Sequence, residues 1–466
     1  MIPFTNLRKP NILVCGDILL DCNVYMSIQK IANEAPILVF TQEKEEFKLG
    51  GCGNVLQNVH SLGCESLYMF GAIGNDSYGK KVLELVHAMN VECHVRVVES
   101  ANTIVKRRHF CDNKILFRSD IETDKEHFSN ISFVDEIEEI LRSKPIDCII
   151  LSDYNKGILT HEQCQAILSL AKRYNVFTCV DPKEDAQKYV GCSLIKPNKS
   201  EAHRLFGLGV GTPLEEIHGA IYSTIQCTYS VVTMSENGIS LYDGERIYHE
   251  LPDSIHKILD VTGAGDIVCS ILGYFLCQKR PIQNVLRLAT QIATKSVEFP
   301  GTYCTSMSDI LRVTFQGVKC LSFSDICHIR KIHEGKTIVC TNGCFDLLHS
   351  GHIELFRFCK QMGEIVVVLL NSDESIRRLK GEHRPINLLR SRLDVLSALQ
   401  YIDYCVVFEE DTPELALQEL RPDVLVKGGD YTIDTIPGRE YAKRTVVCPL
   451  VEGMSSTSIV KKAKCS

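Results

Sequence analysis

Two short segments of the chain carry residue types suited to binding and transferring phosphate. The first is Asp260-Val-Thr-Gly-Ala-Gly-Asp266, in which glycines let backbone N–H groups converge and a carboxylate follows them. A helix predicted over residues 267–275 adds its positive N-terminal end to this anion cradle. Asp266 could accept a proton from an attacking hydroxyl, so the segment predicts transfer of a γ-phosphoryl group to a hydroxyl. A helix cap after a tight turn is the simpler alternative.

The second segment is Asn342-Gly-Cys-Phe-Asp-Leu-Leu-His349-Ser-Gly-His352, placed between a predicted strand and a predicted helix. Residues three apart in a first helical turn share one face, so both imidazoles could reach the same phosphate beside the helix N-terminus. This pattern predicts attack on an α-phosphate with release of pyrophosphate. A zinc site that adds Cys344 and Asp346, or two plain surface histidines, are the alternatives.

The elements that must position these segments follow an α/β pattern. Short apolar runs predict strands at residues 11–15, 148–152, 176–180 and 229–233. Three of these runs lead directly into aspartates, Asp17, Asp153 and Asp181. Strands separated by helical stretches predict a mostly parallel sheet, in which ligands bind beyond the carboxyl ends of the strands. Period-two patterns in residues 31–47 and 91–120 predict a smaller sheet that acts as a lid.

A second α/β alternation follows a stretch without clear periodicity at residues 302–323. A helix predicted at 283–297 closes the first part of the chain. Strands are then predicted at 336–341, 364–370, 404–407 and 424–426, with helices at 351–361 and 388–399. We therefore expect two α/β domains, residues 1–320 and 321–466, because 466 residues are also too many for one ordinary core.

Composition narrows the class of protein and its partners. Hydrophobic residues make up 45% and charged residues 23% of the chain, as in a globular protein. The net charge of −7 predicts no general attraction to nucleic acid or to anionic membranes. No apolar run approaches the roughly twenty residues of a membrane span, and the N-terminus lacks the apolar core of a signal peptide. The 22 cysteines are scattered through apolar runs without a Cys-x-x-Cys pair, which favours buried thiols in a cytoplasmic protein.

The first segment and its surroundings resemble the ribokinase-like sugar kinases. Gly50-Gly-Cys-Gly-Asn54 is similar to that family's early glycine-rich motif, and Asn198-Lys-Ser-Glu201 to its Asn-x-x-Glu motif. Asn33-Glu-Ala-Pro36, Leu151-Ser-Asp-Tyr-Asn-Lys-Gly157 and Asp181-Pro-Lys183 resemble the heptose-phosphate kinase branch, as does the pairing of Lys106 and Arg108 with Arg118 and Asp120.

The resemblance implies a ribokinase-like α/β sandwich with a small β lid, and it implies a role for each matching residue. Asp266 would be the catalytic base. Basic lid residues would suit a sugar that already carries one phosphate, although a solvated charged strand face is the alternative. The implied anion hole is Gly263, Ala264 and Gly265. The implied sugar-binding residues are Asp17, Asp21, Gly50, Gly51, Asn54, Lys106, Arg108, Arg118, Asp181 and Lys183. The implied nucleotide-binding residues are Asn198, Glu201, Thr233 and Gly238.

The second segment resembles the motif of the cytidylyltransferase-like nucleotidyltransferases. Asn371-Ser-Asp373, Lys380-Gly-Glu-His-Arg-Pro385, Lys427-Gly-Gly-Asp-Tyr431 and Ser455-Ser-Thr-Ser458 extend the similarity in order. A Rossmann-like domain is implied, without a covalent enzyme intermediate. The implied catalytic residues are His349, His352 and Lys380. The implied nucleotide-binding residues are Asn342, Gly343, Phe345, Asp346, Lys427, Asp430, Ser456 and Thr457.

The two domains in this order resemble the bifunctional ADP-heptose synthesis family of bacterial lipopolysaccharide assembly. That resemblance implies phosphorylation of heptose 7-phosphate at O1 and adenylylation of heptose 1-phosphate, with a separate phosphatase acting between the two steps. It also implies ATP and Mg²⁺, no metal site made by protein alone, Glu201 as a possible metal contact, and a homodimer formed through the kinase lid. The alternatives are the same reactions on another sugar phosphate, or a nucleotide-binding scaffold with one or both sites inactive.

Overall fold

A computed structural model describes residues 8–112, 114–253, 258–299, 301–429 and 431–449. The chain divides into two compact units, the first ending at Val313 and the second beginning at Thr314. The boundary near residue 320 stays a prediction.

The first unit contains thirteen described strands and the helices that connect them. The strands are β1 (Asn11–Gly16), β2 (Ile18–Ile31), β3 (Leu38–Gly51), β4 (Ser66–Gly74), β5 (Glu92–Val98), β6 (Val105–Cys111), β7 (Lys114–Ile121), β8 (Cys148–Ser152), β9 (Phe177–Asp181), β10 (Leu194–Ile195), β11 (Tyr229–Thr233), β12 (Ile239–Tyr242) and β13 (Ile247–Glu250). The helices are α1 (Cys52–Leu62), α2 (Ser77–His87), α3 (Glu126–Ser129), α4 (Val134–Ser143), α5 (His161–Arg173), α6 (Lys199–Leu205), α7 (Leu214–Ile225), α8 (Ala264–Leu276), α9 (Ile282–Ser296) and α10 (Met307–Phe315).

A nine-stranded sheet in the order β13-β12-β11-β10-β9-β8-β1-β4-β5 forms the centre of the described first unit. Its strands from β11 to β5 pair in parallel, whereas β12 and β13 are antiparallel additions at one edge. Alternate residues of β1 face opposite cores, because Ile12 and Val14 join the cluster under α1, α8 and α9 while Leu13 and Cys15 join the cluster under α4, α5 and α7. Both faces are therefore covered, which explains why the central strands read as continuous apolar runs.

A separate four-stranded sheet, in the order β3-β2-β6-β7, forms the lid. The predicted small sheet is confirmed, but the residues assigned to it need two corrections. Within the pattern at 91–120, β5 (Glu92–Val98) pairs with β4 in the main sheet instead. The lid also contains the 14-residue strand β2, which the sequence analysis missed because its first half is buried and its second half is exposed, so no single period describes it.

The second unit is built on a six-stranded sheet, in the order β14-β17-β16-β15-β18-β19, whose described pairs are all parallel. The strands are β14 (Cys320–Leu321), β15 (Ile338–Gly343), β16 (Ile365–Asn371), β17 (Tyr404–Phe408), β18 (Val424–Gly428) and β19 (Arg444–Cys448). The helices are α11 (Ile326–Ile332), α12 (Ser350–Met362), α13 (Asp373–Lys380), α14 (Leu389–Ser397) and α15 (Glu414–Leu420). The two α/β folds confirm the predicted fold class.

Two further observations concern the described residues only. Their cysteines are all free thiols, and most of them are buried among apolar side chains. None of their helices has the length and apolar character that crossing a membrane requires.

Candidate active sites

The first candidate site lies at the start of α8, where the chain turns sharply before the helix begins. Gly263 has φ of +80°, and a Cβ there would lie 2.7 Å from Asn54 Nδ2, so both the backbone and the close approach favour glycine. Three residues later, Asp266 is 3% exposed. Its Oδ2 accepts a hydrogen bond from Asn54 Nδ2 at 2.7 Å, and its Oδ1 accepts one from the Tyr154 hydroxyl at 2.8 Å. The turn and the two donors fix this carboxylate in the first turn of the helix, where backbone N–H groups point toward the N-terminus.

The protonation of Asp266 is set by opposing effects. Burial raises the pKa of its carboxyl, while the hydrogen bonds from Asn54 and Tyr154 and the charge of Lys196 lower it, and the net direction is upward. A raised pKa makes the carboxylate a better proton acceptor while leaving an ionised form available. The geometry thus suits a general base at the head of an anion-binding helix.

A cavity of about 550 Å³ opens in front of α8 and collects many of the predicted residues. The predicted residues that line it are Asp181, Lys183, Asn198, Glu201, Thr233, Gly238, Gly263, Ala264, Gly265 and Asp266. These residues come from the carboxyl ends of β9 and β11, from α6 and from α8. The carboxyl ends of the strands are the edge of the sheet at which the sequence pattern predicts a ligand site.

Asn198 and Glu201 form a reciprocal cap at the start of α6. The Asn198 side chain accepts from the Glu201 N–H at 2.8 Å, and Glu201 Oε2 accepts from the Asn198 N–H at 3.0 Å. Glu201 Oε1 accepts from Lys183 Nζ at 2.9 Å. Both carboxylate oxygens of Glu201 therefore already have partners, and its contact with a metal stays a prediction.

The lid reaches the turn before α8 through a buried ion pair. Arg108 Nη1 donates to Asp21 Oδ1 at 2.6 Å, and Arg108 Nη2 lies 3.4 Å from Thr262 Oγ1. Thr262 in turn donates its hydroxyl to Asp260 Oδ1 at 2.7 Å. Lys106 Nζ lies 5.4 Å from the centre of the Tyr154 ring, and burial lowers the pKa of Lys106. The lid thus brings two basic side chains toward the turn before α8.

Other predicted sugar-binding residues are placed differently. Asp17 is buried, and its carboxylate accepts from the backbone N–H groups of Tyr154, Lys156 and Ile158, so it holds the loop that carries Tyr154. Gly50 and Gly51 end β3, next to the Asp21 side chain and the Asp17 carbonyl respectively. Arg118 is half exposed and pairs with Asp120 at 2.9 Å. Asp17, Gly50, Gly51 and Arg118 are not among the residues that line the cavity, and their direct contact with a sugar stays a prediction.

Two residues of the first site were missed by the sequence analysis. Tyr154 lies in the motif Leu151–Gly157 and donates its hydroxyl to the predicted base Asp266. Lys196 is 2% exposed, lines the cavity and pairs with Asp181 Oδ1 at 3.0 Å. The available signal for Lys196 was a single lysine directly after the apolar pair Leu194 and Ile195.

The second candidate site is a cavity of about 640 Å³ in the second unit, beyond the carboxyl ends of β15, β16 and β18. The predicted residues that line it are Asn342, Gly343, Phe345, Asp346, His349, His352, Lys380 and Lys427. His349 caps α12, and its ring stacks on that of His352 with centroids 3.8 Å apart. The spacing of three therefore does bring both imidazoles together at the start of a helix.

Burial favours the uncharged form of both histidine rings. Burial, His349 and Lys380 together lower the pKa of His352 to about 4, and burial lowers the pKa of His349. Within the described residues, the buried Nδ1 atom of each ring has no hydrogen-bond partner. A bound phosphate could accept a hydrogen bond from an N–H group of these rings, and its negative charge would favour the protonated rings.

Neighbouring residues hold the walls of this second cavity. Asp346 accepts from Arg384 Nη1 at 2.5 Å and from the N–H groups of Ile386 and Asn387, so its carboxylate organises the loop after α13. Lys427 Nζ donates to Asn342 Oδ1 at 2.9 Å. The nucleotide contacts predicted for Asp346 and Lys427 remain predictions, whereas their loop-holding contacts are observed.

Arg392 is a buried residue of this site that the sequence analysis missed. It is 2% exposed, and its Nη1 donates to the carbonyls of Cys344 and Asn371, both at 2.8 Å. Its Nε donates to the Asn387 carbonyl at 3.1 Å, and its Nη2 pairs with Asp373 at 2.7 Å. One guanidinium thus joins four residues from three segments of the second unit, but in the sequence Arg392 looks like any arginine on an amphipathic helix.

Three predicted nucleotide-binding residues, Asp430, Ser456 and Thr457, lie outside the described residues. Among the residues that are described, no group of three or more His, Cys, Asp or Glu side chains could hold a metal ion. The zinc alternative for the second segment therefore finds no ligand set there.

Two family models match the chain, one for each candidate site. The pfkB family carbohydrate kinase model matches residues 9–308, and the cytidylyltransferase-like model matches residues 340–462. The solved structures support the first fold. Ribokinase of Arabidopsis thaliana, solved with ribose and ATP, superposes with a TM-score of 0.53 at 19% identity, covering 66% of this chain and 99% of that chain. Phosphofructokinase-2 of Escherichia coli, solved with fructose-6-phosphate, gives 0.52 at 17% identity, with coverage of 66% and 98%.

Curated relatives match over nearly the whole chain. Bifunctional protein HldE of Campylobacter fetus is 34% identical over 460 residues, covering 97% of this chain and 99% of the relative. The proteins of the same name from Campylobacter jejuni serotype O:2 and Sulfurimonas denitrificans are each 35% identical over 473 residues, covering 100% and 98% of this chain and 99% and 97% of the relative. These matches confirm the predicted family resemblance. The chain belongs to the HldE family of bifunctional proteins, with a carbohydrate kinase domain followed by a cytidylyltransferase-like nucleotidyltransferase domain.

Proposed function

We propose that the chain catalyses two separate steps of ADP-heptose synthesis for lipopolysaccharide. The first unit phosphorylates D-glycero-β-D-manno-heptose 7-phosphate at O1 with ATP. The second unit transfers the adenylyl group of another ATP to heptose 1-phosphate and releases pyrophosphate. The observation that carries this proposal is that each unit has its own cavity, one built around Asp266 at the head of α8 and one around the stacked pair His349 and His352.

In the kinase step, the sugar O1 forms a bond to the γ-phosphorus, the bond from that phosphorus to the bridging oxygen breaks, and ADP leaves. The O1 proton passes to the buried carboxylate of Asp266, which Asn54 and Tyr154 hold in place. The N–H groups at Gly263, Ala264 and Gly265 stabilise the negative charge on the phosphoryl oxygens. Lys106 and Arg108 on the lid provide positive charge for the 7-phosphate.

In the adenylyl transfer, an oxygen of the sugar 1-phosphate attacks the α-phosphorus of ATP, and the bond to the β-phosphate breaks. His349, His352 and Lys380 stabilise the developing charge, so no covalent enzyme intermediate is needed. Mg²⁺ bound with ATP would neutralise phosphate charge at either site. Glu201, on the wall of the first cavity, is the side chain proposed to contact it there.

The two sites do not pass one molecule directly from one to the other. The product of the first step still carries the 7-phosphate, so a separate phosphatase must remove that group before the second step. We place all three activities in the cytoplasm. Tethering the two units raises the local concentration of each near the other, and no channel is required by this chemistry.

We also propose that the chain forms a homodimer through the lid. Several large apolar side chains of β2, β3 and β7 are half exposed there, namely Ile28, Ile31, Leu38, Ile115, Leu116 and Phe117. Exposed apolar groups clustered on one small sheet are typical of an interaction surface. Phe117→Asp should give a monomer by light scattering, whereas Val210→Asp, a change at a fully exposed valine, should leave the dimer unchanged. A monomeric unmodified chain would contradict the dimer.

A panel of sugar phosphates, read by product mass, tests the proposed function. With heptose 7-phosphate and ATP we expect ADP and a bisphosphate, and with heptose 1-phosphate and ATP we expect pyrophosphate and ADP-heptose. Turnover of a different sugar phosphate alone would overturn the substrate assignment. Binding of ATP without turnover of any sugar phosphate would favour the scaffold alternative.

A further inference from the structure

We infer that Lys196 is a catalytic residue of the kinase site and brings a fixed positive charge to the phosphoryl group in transfer. This inference rests on the proposed kinase function and deepens it.

Lys196 is buried to an extent that is unusual for lysine. Its side chain is 3% exposed, and among the described residues its ion-pair partner is Asp181 alone, at 3.0 Å. An ammonium has three N–H donors, and a buried charge is costly unless those donors are used. Burial by itself would lower the pKa of Lys196, but the charge of Asp181 raises it, and the net direction is upward. An ammonium whose one ion-pair partner among the described residues is Asp181 therefore faces the cavity with further N–H donors.

The position of this ammonium connects it with the anion hole. Lys196 lines the same cavity as Asp266 and Gly265, and a Cβ built on Gly265 would lie 3.5 Å from Lys196 Nζ. The ammonium thus lies beside the first turn of α8. Lys183 also lines the cavity, but its charge is paired with Glu201 and its side chain is more than a third exposed. Lys196 is the better placed of these two lysines to act on a phosphoryl group held at the helix N-terminus.

The chemistry of the step calls for such a group. During transfer, negative charge is spread over the three equatorial oxygens of the phosphoryl group. A cation that is already desolvated and held in place stabilises that charge without reorganisation, and it acts mainly in the transition state. Asp181 then serves as the positioning residue that keeps the ammonium in the site.

The competing explanation is that Lys196 merely neutralises buried carboxylates. Lys188 provides a matched control, because it also pairs with a buried aspartate that lines the cavity, Asp153, at 3.2 Å. Its side chain is 13% exposed, and Lys188 itself is not among the lining residues. If neutralisation were the whole role, losing either lysine should have similar effects.

The test compares Lys196→Gln, Lys196→Thr, Lys196→Arg and Lys188→Gln in the full chain with heptose 7-phosphate and ATP. We expect the neutral Lys196 variants to lose about 10²-fold in kinase kcat with KM values within about threefold, as for loss of one group that stabilises a transition state. Lys196→Arg should recover part of the loss, and Lys188→Gln should stay within about threefold of the unmodified chain.

Binding gives a second readout that does not depend on turnover. ADP with aluminium fluoride imitates the phosphoryl group in transfer, so its affinity should fall in parallel with kcat, while the affinity for ADP alone should not change. Retained ADP binding also shows that the kinase site has folded. The kcat comparison is therefore made on whichever neutral Lys196 variant still binds ADP. A loss in kcat below tenfold, an equal loss in Lys188→Gln, or an equal loss of ADP affinity would overturn the inference. An unmodified chain without kinase activity would instead refute the proposed function.

Discussion

Replacing Asp266 with asparagine is the most direct test of the kinase mechanism. The carboxylate is 3% exposed and held by Asn54 and Tyr154, so a side chain of equal size can occupy the same position. The amide oxygen of the asparagine can accept from Asn54, while the amide nitrogen can donate to the Tyr154 oxygen. Substrate binding should therefore change little, and the variant should lack only the proton acceptor.

The expected size of the effect follows from that single loss. General base catalysis contributes about 10² to 10⁴ in rate. Because Asp266 is the proposed proton acceptor, and the anion-binding N–H groups of α8 stay in place in the variant, we expect a loss near the middle of that range. A fall of about 10³ in kcat corresponds to about 4 kcal/mol of transition-state stabilisation. KM for both substrates should remain within about threefold.

The pH dependence gives an independent check on the same residue. Burial raises the pKa of Asp266 above its ordinary value of 3.8. The base acts only when ionised, so kinase kcat should fall as the pH drops through this raised pKa, and Asp266→Asn should lack that acid limb.

The assay should follow ADP release with heptose 7-phosphate, and pyrophosphate release with heptose 1-phosphate in parallel. The second activity is the internal control because its residues lie in the other unit. A kinase kcat within tenfold of the unmodified chain would refute Asp266 as the base. Equal loss of both activities would refute the independence of the two sites.

The remaining predictions concern the second unit. His352→Asn should lower adenylyltransferase kcat by about 10² to 10³, because it removes one donor to the transition state. Kinase kcat should be unchanged. An unchanged rate of pyrophosphate release would contradict this role of His352. The His352 ring should titrate in NMR spectra with a pKa of about 4 in the free protein. This pKa should rise when ATP binds, because a nearby negative charge favours the protonated ring. A pKa near 6.5 in the free protein would show that the ring is solvated. The folded-state pKa of His352 lies below the ordinary 6.5, so the second unit should lose stability as the pH falls from about 6.5 toward 4. In urea unfolding, His352→Gln should show less of this loss of stability. Arg392→Met should lower the free energy of unfolding of the second unit by about 3–5 kcal/mol, as measured by urea unfolding, because it leaves Asp373 and three carbonyls without their buried partner. A decrease in this free energy of less than about 1 kcal/mol would show that water replaces the guanidinium.

Local patterns in the sequence were sufficient for the α/β class and for both phosphate-binding turns. The runs at residues 148–152 and 229–233 are the observed strands β8 and β11, because strands buried on both faces are apolar throughout. The turn before α8 could be predicted from its glycines, because glycine takes a positive φ without strain. Gly263 has such a φ and lies close to Asn54. His349 and His352 were readable because residues three apart in a helix share one face.

Local sequence patterns were thus enough to predict the order of the two units, their family and the chemistry expected at each turn. The folded chain was needed to assign β2 to the lid and β5 to the main sheet, since strand pairing joins residues far apart in the chain. It also revealed the buried contacts of Tyr154, Lys196 and Arg392. Each of these side chains matters through partners from other segments, Asp266, Asp181 and Asn371 among them, and such contacts leave no periodic trace in the sequence. Burial, which shifts the pKa of Asp266 and of His352, likewise exists only once the chain has folded.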